Sequence, residues 1–64
     1  MTNTEAREAM LNRTPVIHGG ITYSRISAII YRPGDNRDVK VTVELLDKSG
    51  HSVSIANTKD VTQA

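Results

Sequence analysis

Alternating hydrophobic and polar positions run through most of the chain after residue 14, and they predict β-strands. The clearest run is 38–46, where Val39, Val41, Val43 and Leu45 point to one face and the residues between them to the other. Shorter runs predict further strands at 15–18, 21–23, 25–32, 52–56 and 61–62. The other positions that alternation assigns to an inward face are Ile26, Ala28, Ile30, Val53 and Ile55.

The first thirteen residues follow a different period and predict a short α-helix at 2–13. Thr2 with Glu5 three positions later fits a capping box, and Thr4 is a competing cap. One face of this helix, carrying Ala6, Ala9, Met10 and Arg13, is thin in apolar area. Thr14-Pro15 ends the helix, because the residue before a proline disfavours helical backbone angles.

Turn residues separate the strands and indicate the fold class. Glycine-containing turns are predicted at 19–20, 33–36 and 47–50, and a single helical turn at 57–60. This order predicts one mostly β domain over residues 1–64: a small SH3-like antiparallel barrel of about five short strands with a short N-terminal α-helix. The alternative is an open three-stranded meander with the helix across one face. Both share the hairpins 25–46 and 38–56.

One group of hydrophobic residues does not fit a sheet with a single buried face. Strict alternation puts Ile29 and Tyr31 opposite to Ile26, and Leu46 falls on the outward side of its own strand. These three residues are expected to form a second apolar patch. Large apolar patches are rarely left idle. The expected cover is the N-terminal helix through Ala9 and Met10, or a partner subunit, or another bound molecule.

Length and composition point to a homo-oligomer. A chain of 64 residues buries only about 60% of its surface on folding. It has no cysteine for disulfides, and only two histidines, whose spacing matches no metal site. Association is the remaining means of stabilisation. The net charge of +1, the absence of a long apolar run and the polar N-terminus predict a cytoplasmic protein with no membrane partner.

No set of residues indicates catalysis, so the chain is expected not to be an enzyme and to need no cofactor or metal. His18 and His51 stand beside glycines, and no serine or carboxylate is tied to either by spacing. Aspartate in turns usually bonds nearby backbone N–H groups. That interpretation covers Asp35, Asp38, Asp47 and Asp60.

Four basic residues on the central hairpin raise nucleic-acid binding as an alternative function. Single-strand binders usually offer aromatic stacking platforms. This chain has no Trp or Phe and only Tyr23 and Tyr31. A small nucleic-acid-binding barrel is therefore the second hypothesis. The basic residues are Arg25, Arg32, Arg37 and Lys40.

Two segments carry a resemblance to a known family. TPVIHGGITYSRISAIIYR (14–32) and VTVELLDKSGHSVSIA (41–56) resemble small uncharacterised proteins of phages, prophages and mobile elements of Gram-positive bacteria. The resemblance spans the chain from Thr14 to Val61, without the N-terminal helix. It implies no site residues. It implies a phage or mobile-element origin, in which small proteins are often anti-defence factors.

The leading hypothesis is a non-enzymatic, homo-oligomeric binding protein that occupies a host protein or sequesters a small nucleotide signal. For an anionic nucleotide, Arg25, Arg32 and Arg37 are expected to contact phosphate while Tyr31 stacks on the base. A minor structural protein of the phage particle is a further alternative. For a protein partner, the expected interface residues are Ile29, Tyr31, Leu46 and Met10.

Overall fold

A computed structural model describes residues 1–64 and shows a mostly β chain with one short N-terminal helix, as predicted. The elements are α1 (Asn3–Asn12), β1 (Val16–His18), β2 (Ile21–Tyr23), β3 (Arg25–Pro33), β4 (Val39–Leu46), β5 (Val53–Asn57) and β6 (Thr62–Gln63). Single 3-10 turns at Asp35–Arg37 and Thr58–Asp60 precede β4 and β6. The predicted boundaries are close to these.

The predicted capping box begins α1. Glu5 N–H donates to Thr2 Oγ1 at 3.1 Å, and Thr2 N–H donates to Glu5 Oε1 at 2.8 Å. The helix ends at Asn12. The next residue, Arg13, is its C-cap: it adopts left-handed angles (φ 54°), and its N–H bonds back to carbonyls of the last turn. At ten residues, α1 is too short to cross a lipid bilayer, and no other helix has the length and apolarity to do so.

The strands form two three-stranded antiparallel sheets and do not close into a barrel. One sheet has the order β2-β1-β6, and the other has the order β3-β4-β5. The second sheet, with α1 packed against β3, matches the alternative prediction of a meander crossed by a helix. The predicted SH3-like barrel is therefore not confirmed, because β6 pairs with β1 and β5 remains an open edge.

A β-bulge in β3 changes which residues of that strand face the core. Ile26 pairs with Leu45 and Ile29 pairs with Val43, so Ser27 is an extra residue without a partner in β4. An extra residue reverses the alternation beyond it. Ile26 and Ile29 therefore both face the core, and the prediction that they lie on opposite faces was wrong.

The predicted patch of Ile29, Tyr31 and Leu46 does not form, for the same reason. Ile29 packs against the core together with Met10 of α1. Leu46 pairs with Arg25 on the opposite face of the sheet. Of the proposed covers, the helix is the one that lies over Ile29.

The inward and outward faces of strand β5 are the reverse of those predicted. Ser54 pairs with Leu45 and Ala56 pairs with Val43, so these two residues share the face of the buried β4 side chains. Val53 and Ile55 lie on the outer face and are 52% and 53% exposed. The register, and not the hydrophobicity of the strand, decides which residues point inward.

The core joins both sheets and the helix. Val43 and Leu45 are fully buried, as their alternation predicted. Small side chains on α1 let the helix approach β3 closely, while β6 is preceded by the buried Val61. The nine buried hydrophobic residues are Ala6, Ala9, Val16, Tyr23, Ile26, Val43, Leu45, Ala56 and Val61.

Candidate functional site

The hairpin formed by β3 and β4 extends beyond the core, and we call its outer part, residues 31–40, the distal hairpin. Every residue of the distal hairpin is exposed except Gly34, which is half-buried. The last pair with buried contacts is Ile29 with Val43, and the strands continue through four more pairs to Pro33 and Val39. Both faces of the distal hairpin are therefore available for binding.

The inner face of the distal hairpin, on the side of α1, is apolar. Tyr31 pairs with Val41, and Pro33 pairs with Val39. Tyr31 and Val39 are each 62% exposed. Tyrosine is among the side chains that most often carry binding energy at protein interfaces.

The outer face of the distal hairpin is basic. Arg32 pairs directly with Lys40 in the β3–β4 register, and both are exposed. Like charges on directly opposed residues of an antiparallel pair are destabilising. An anion placed between these two side chains would relieve their repulsion.

The turn of the distal hairpin is closed by backbone bonds and holds two residues in left-handed angles. Gly34 N–H donates to the Asp38 carbonyl at 2.6 Å, and Asp38 N–H donates to the Asp35 carbonyl at 3.1 Å. Asn36 and Arg37 have φ values of 55° and 67°. Asparagine tolerates this conformation, whereas arginine there costs roughly 1–2 kcal/mol. Strained residues of this kind concentrate at functional positions.

The structure brings together three of the four residues predicted to bind a nucleotide. Tyr31, Arg32 and Arg37 all lie in the distal hairpin. Arg25 lies seven positions before Arg32, at the other end of β3, which is about 23 Å along an extended strand. Tyr31 and Arg32 point to opposite faces, so one small ligand does not reach both in the way the sequence predicted.

The sequence did not predict two further residues as part of a binding surface, Val39 and Lys59. Val39 alternates in phase with the buried Val43 and Leu45, and nothing local shows that the core ends before it. Lys59, in the 3-10 turn after β5, lines a cleft together with Lys40. Lys59 lies near Lys40 because β5 ends at Asn57, and the sequence pattern does not predict where that strand ends.

Among the titratable residues outside the distal hairpin, Asp47 makes a local side-chain hydrogen bond. Ser49 Oγ donates to Asp47 Oδ2 at 2.8 Å, and bonds from the Ser49 side chain and backbone lower the pKa of Asp47. The turn role predicted for Asp47 is therefore confirmed. His18 ends β1, and His51 is exposed in the loop before β5. No three His, Asp or Glu side chains come together as a metal site.

No family model, curated protein or solved structure matches this chain.

Proposed function

We propose that this chain is a non-enzymatic binding protein that docks on a partner protein through its distal hairpin. The observation that carries this proposal is the exposure of residues 31–40 on both faces, with Tyr31 and Val39 on one side and Arg32 and Lys40 on the other. Interfaces are typically built from an aromatic or apolar anchor with charged residues at the rim. The distal hairpin has that composition.

The charge of the hairpin defines the partner. Arg32 and Lys40 repel each other across the strand pair, so a carboxylate between them gains two favourable contacts and removes one unfavourable one. Tyr31, on the other face, calls for an apolar pocket. The partner is therefore a protein with an apolar pocket for Tyr31 and acidic side chains that reach around the hairpin edge.

Arg37 provides independent support for a binding role. Its left-handed backbone (φ 67°) is a conformation in which glycine is favoured. An arginine at this position lowers the stability of the free protein, and its side chain makes none of the side-chain hydrogen bonds of the chain. A contact between the Arg37 guanidinium and the acidic partner would account for an arginine at this position.

Nucleic acid is the competing occupant of the same basic pair. Tyr23, one of the two aromatic residues, is buried, so Tyr31 is the single side chain able to stack on a base. A single stacking platform favours a protein partner over a nucleic acid.

The biological setting remains part of the proposal. The resemblance noted above supports a phage or mobile-element origin and a role as an anti-defence factor that occupies a host protein. The small core supports self-association. Native mass spectrometry of the protein purified from an expressing bacterium measures its oligomeric state directly, and a bare monomer would remove the homo-oligomer from this proposal.

Site-specific crosslinking tests the docking surface. A photoreactive phenylalanine analogue replaces Tyr31 in one variant and Ile21 in a matched control, since Ile21 of β2 is similarly exposed (55%) on the other sheet. We expect a discrete crosslinked protein from position 31 and none from position 21. That protein is then purified and its affinity measured for wild type, Tyr31→Ala and Arg32→Ala. Each substitution is expected to weaken binding at least about tenfold.

Arg37→Gly separates binding from folding. Glycine relieves the left-handed strain, so thermal stability should stay equal or rise by up to about 1 kcal/mol, while affinity for the crosslinked protein falls. Wild-type affinity in Tyr31→Ala, Arg32→Ala and Arg37→Gly would refute the proposal. Binding of a duplex or single-stranded oligonucleotide, with affinity falling steeply as salt rises, would assign the hairpin to nucleic acid instead.

A further inference from the structure

We propose that a cleft beside the distal hairpin binds a small molecule through a phosphate group. The cleft has a volume of about 490 Å³, within the usual range for small-ligand sites. It lies where β4 continues beyond the end of β5, and Met1 and Asn3 at the start of the chain also line it. The lining residues are Met1, Asn3, Val39, Lys40, Val41, Asn57, Thr58 and Lys59.

The charge of the lining selects an anion. Lys40 and Lys59 come from different elements and both line the cleft, whereas none of the lining residues is acidic. Asn3 and Asn57 add side-chain amides that donate hydrogen bonds. Lysine ammonium groups act as point charges toward phosphate and need no fixed bidentate geometry.

The open edge of β4 adds a backbone donor. The β4–β5 ladder begins at Thr42 with Asn57, so Val39 is paired with β3 alone. Thr58 Oγ1 donates to the Val41 carbonyl at 3.1 Å, which shows that the backbone polar groups of Val41 face the cleft side. In an antiparallel strand, alternate residues direct both polar groups to the same side. The N–H of Val39 therefore also faces this side.

The start of α1 contributes a favourable field. Asn3 is the first residue of the helix, where the backbone dipole carries partial positive charge. Glu5, which would oppose an anion, accepts from Thr2 N–H and lines a separate, smaller cleft together with Glu8. Glu5 and Glu8 therefore line the second cleft, and the first cleft has a basic lining without acidic residues.

The apolar part of the lining defines the rest of the ligand. Val39, Val41 and Met1 are its three hydrophobic residues and provide a wall for a small organic group. The phosphate is expected to lie between Lys40 and Lys59, and the body of the molecule against the valines. A mononucleotide or a sugar phosphate carries both a phosphate and an organic group. Inorganic phosphate carries no organic group.

The test is a titration followed by backbone amide resonances of the full chain. The probes are inorganic phosphate, ribose 5-phosphate, adenosine monophosphate and adenosine. The variants are Lys59→Gln and, as a matched control, Lys48→Gln, which removes the same charge from the exposed turn between β4 and β5. Lys40 is left unchanged because it also belongs to the distal hairpin.

We expect saturable shifts at Asn3, Val39 to Val41 and Asn57 to Lys59 with the phosphorylated probes and none with adenosine. Lys59→Gln should weaken binding at least about tenfold, and Lys48→Gln should not change it. Tighter binding of adenosine monophosphate than of ribose 5-phosphate would identify a nucleotide ligand, and equal binding a sugar phosphate. The proposal fails if no probe saturates, if inorganic phosphate binds as tightly as the organic phosphates, or if both variants respond alike. None of these outcomes depends on the partner-protein experiment.

Discussion

Ser27 Oγ donates a hydrogen bond of 2.8 Å to Glu44 Oε1 at the position where β3 carries one residue more than β4. The same hydroxyl lies 3.3 Å from the Glu44 carbonyl. Because of this extra residue, Ile26 and Ile29 both reach the core although they are three positions apart in a strand. Ser27 therefore decides which face of the distal hairpin carries Tyr31 and which carries Arg32.

Deletion of Ser27 should abolish the folded state. Without the bulge, strict alternation allows only one of Ile26 and Ile29 to face the core. We expect loss of the cooperative thermal transition by circular dichroism. Ser27→Ala keeps the residue and removes only an exposed hydrogen bond, so it should cost about 1 kcal/mol or less. A deletion variant that melts like wild type would show that the bulge does not set the register.

Thr42→Val should stabilise the protein. The Thr42 hydroxyl oxygen is buried and has no hydrogen-bond partner. Replacing it with a methyl group of similar shape removes an unsatisfied polar atom and adds β-branched apolar surface. The expected gain is about 1 kcal/mol, or a rise in Tm of about 4–8 °C for a domain of this size. Thr42→Ser retains the hydroxyl and should not stabilise; a lower Tm for Thr42→Val would contradict the assignment.

Val43→Ala and Val39→Ala should differ although both residues belong to one alternating run. Val43 is fully buried, so its truncation leaves a cavity and should cost about 2 kcal/mol or more. Val39 is exposed beyond the core, so its truncation should change stability by less than about 0.5 kcal/mol. Urea denaturation measures both. Equal losses would mean that the core extends under the distal hairpin.

Glu5→Gln should reduce both stability and its dependence on acid pH. Bonds from Thr2, first from its backbone N–H and then from its side chain, lower the pKa of Glu5 below its ordinary value. A lowered folded-state pKa stabilises the fold above the unfolded pKa of about 4.3, and this contribution is lost as pH falls toward the folded value.

The expected result for Glu5→Gln is a lower Tm at neutral pH and a shallower fall in Tm between about pH 5 and pH 3. Glu8→Gln removes a carboxylate of the same helix that is not part of the capping box, and it serves as the control. An unchanged acid profile in Glu5→Gln would assign the acid sensitivity to other carboxylates.

Local chemistry in the sequence correctly predicted several elements. The pair Thr2 and Glu5 fixed the start of α1, because a capping box acts over three residues. Gly50 stands in the turn after β4 with φ 75°, as a glycine there predicts. The hairpin that carries Tyr31, Arg32 and Arg37 was also predicted, since its turn residues are visible in the sequence alone.

The amino-acid sequence by itself determined the order of the elements, the two central hairpins and the β4 face that carries Val43 and Leu45, because capping, turn chemistry and alternation act over a few neighbouring residues. Only the tertiary structure decided the faces of Ile29 and Ile55, the separation into two sheets, and the exposure of Val39. These features depend on strand register and on where α1 and β5 end. A one-residue bulge reverses every later side chain without leaving a distinct signal in the hydrophobic pattern.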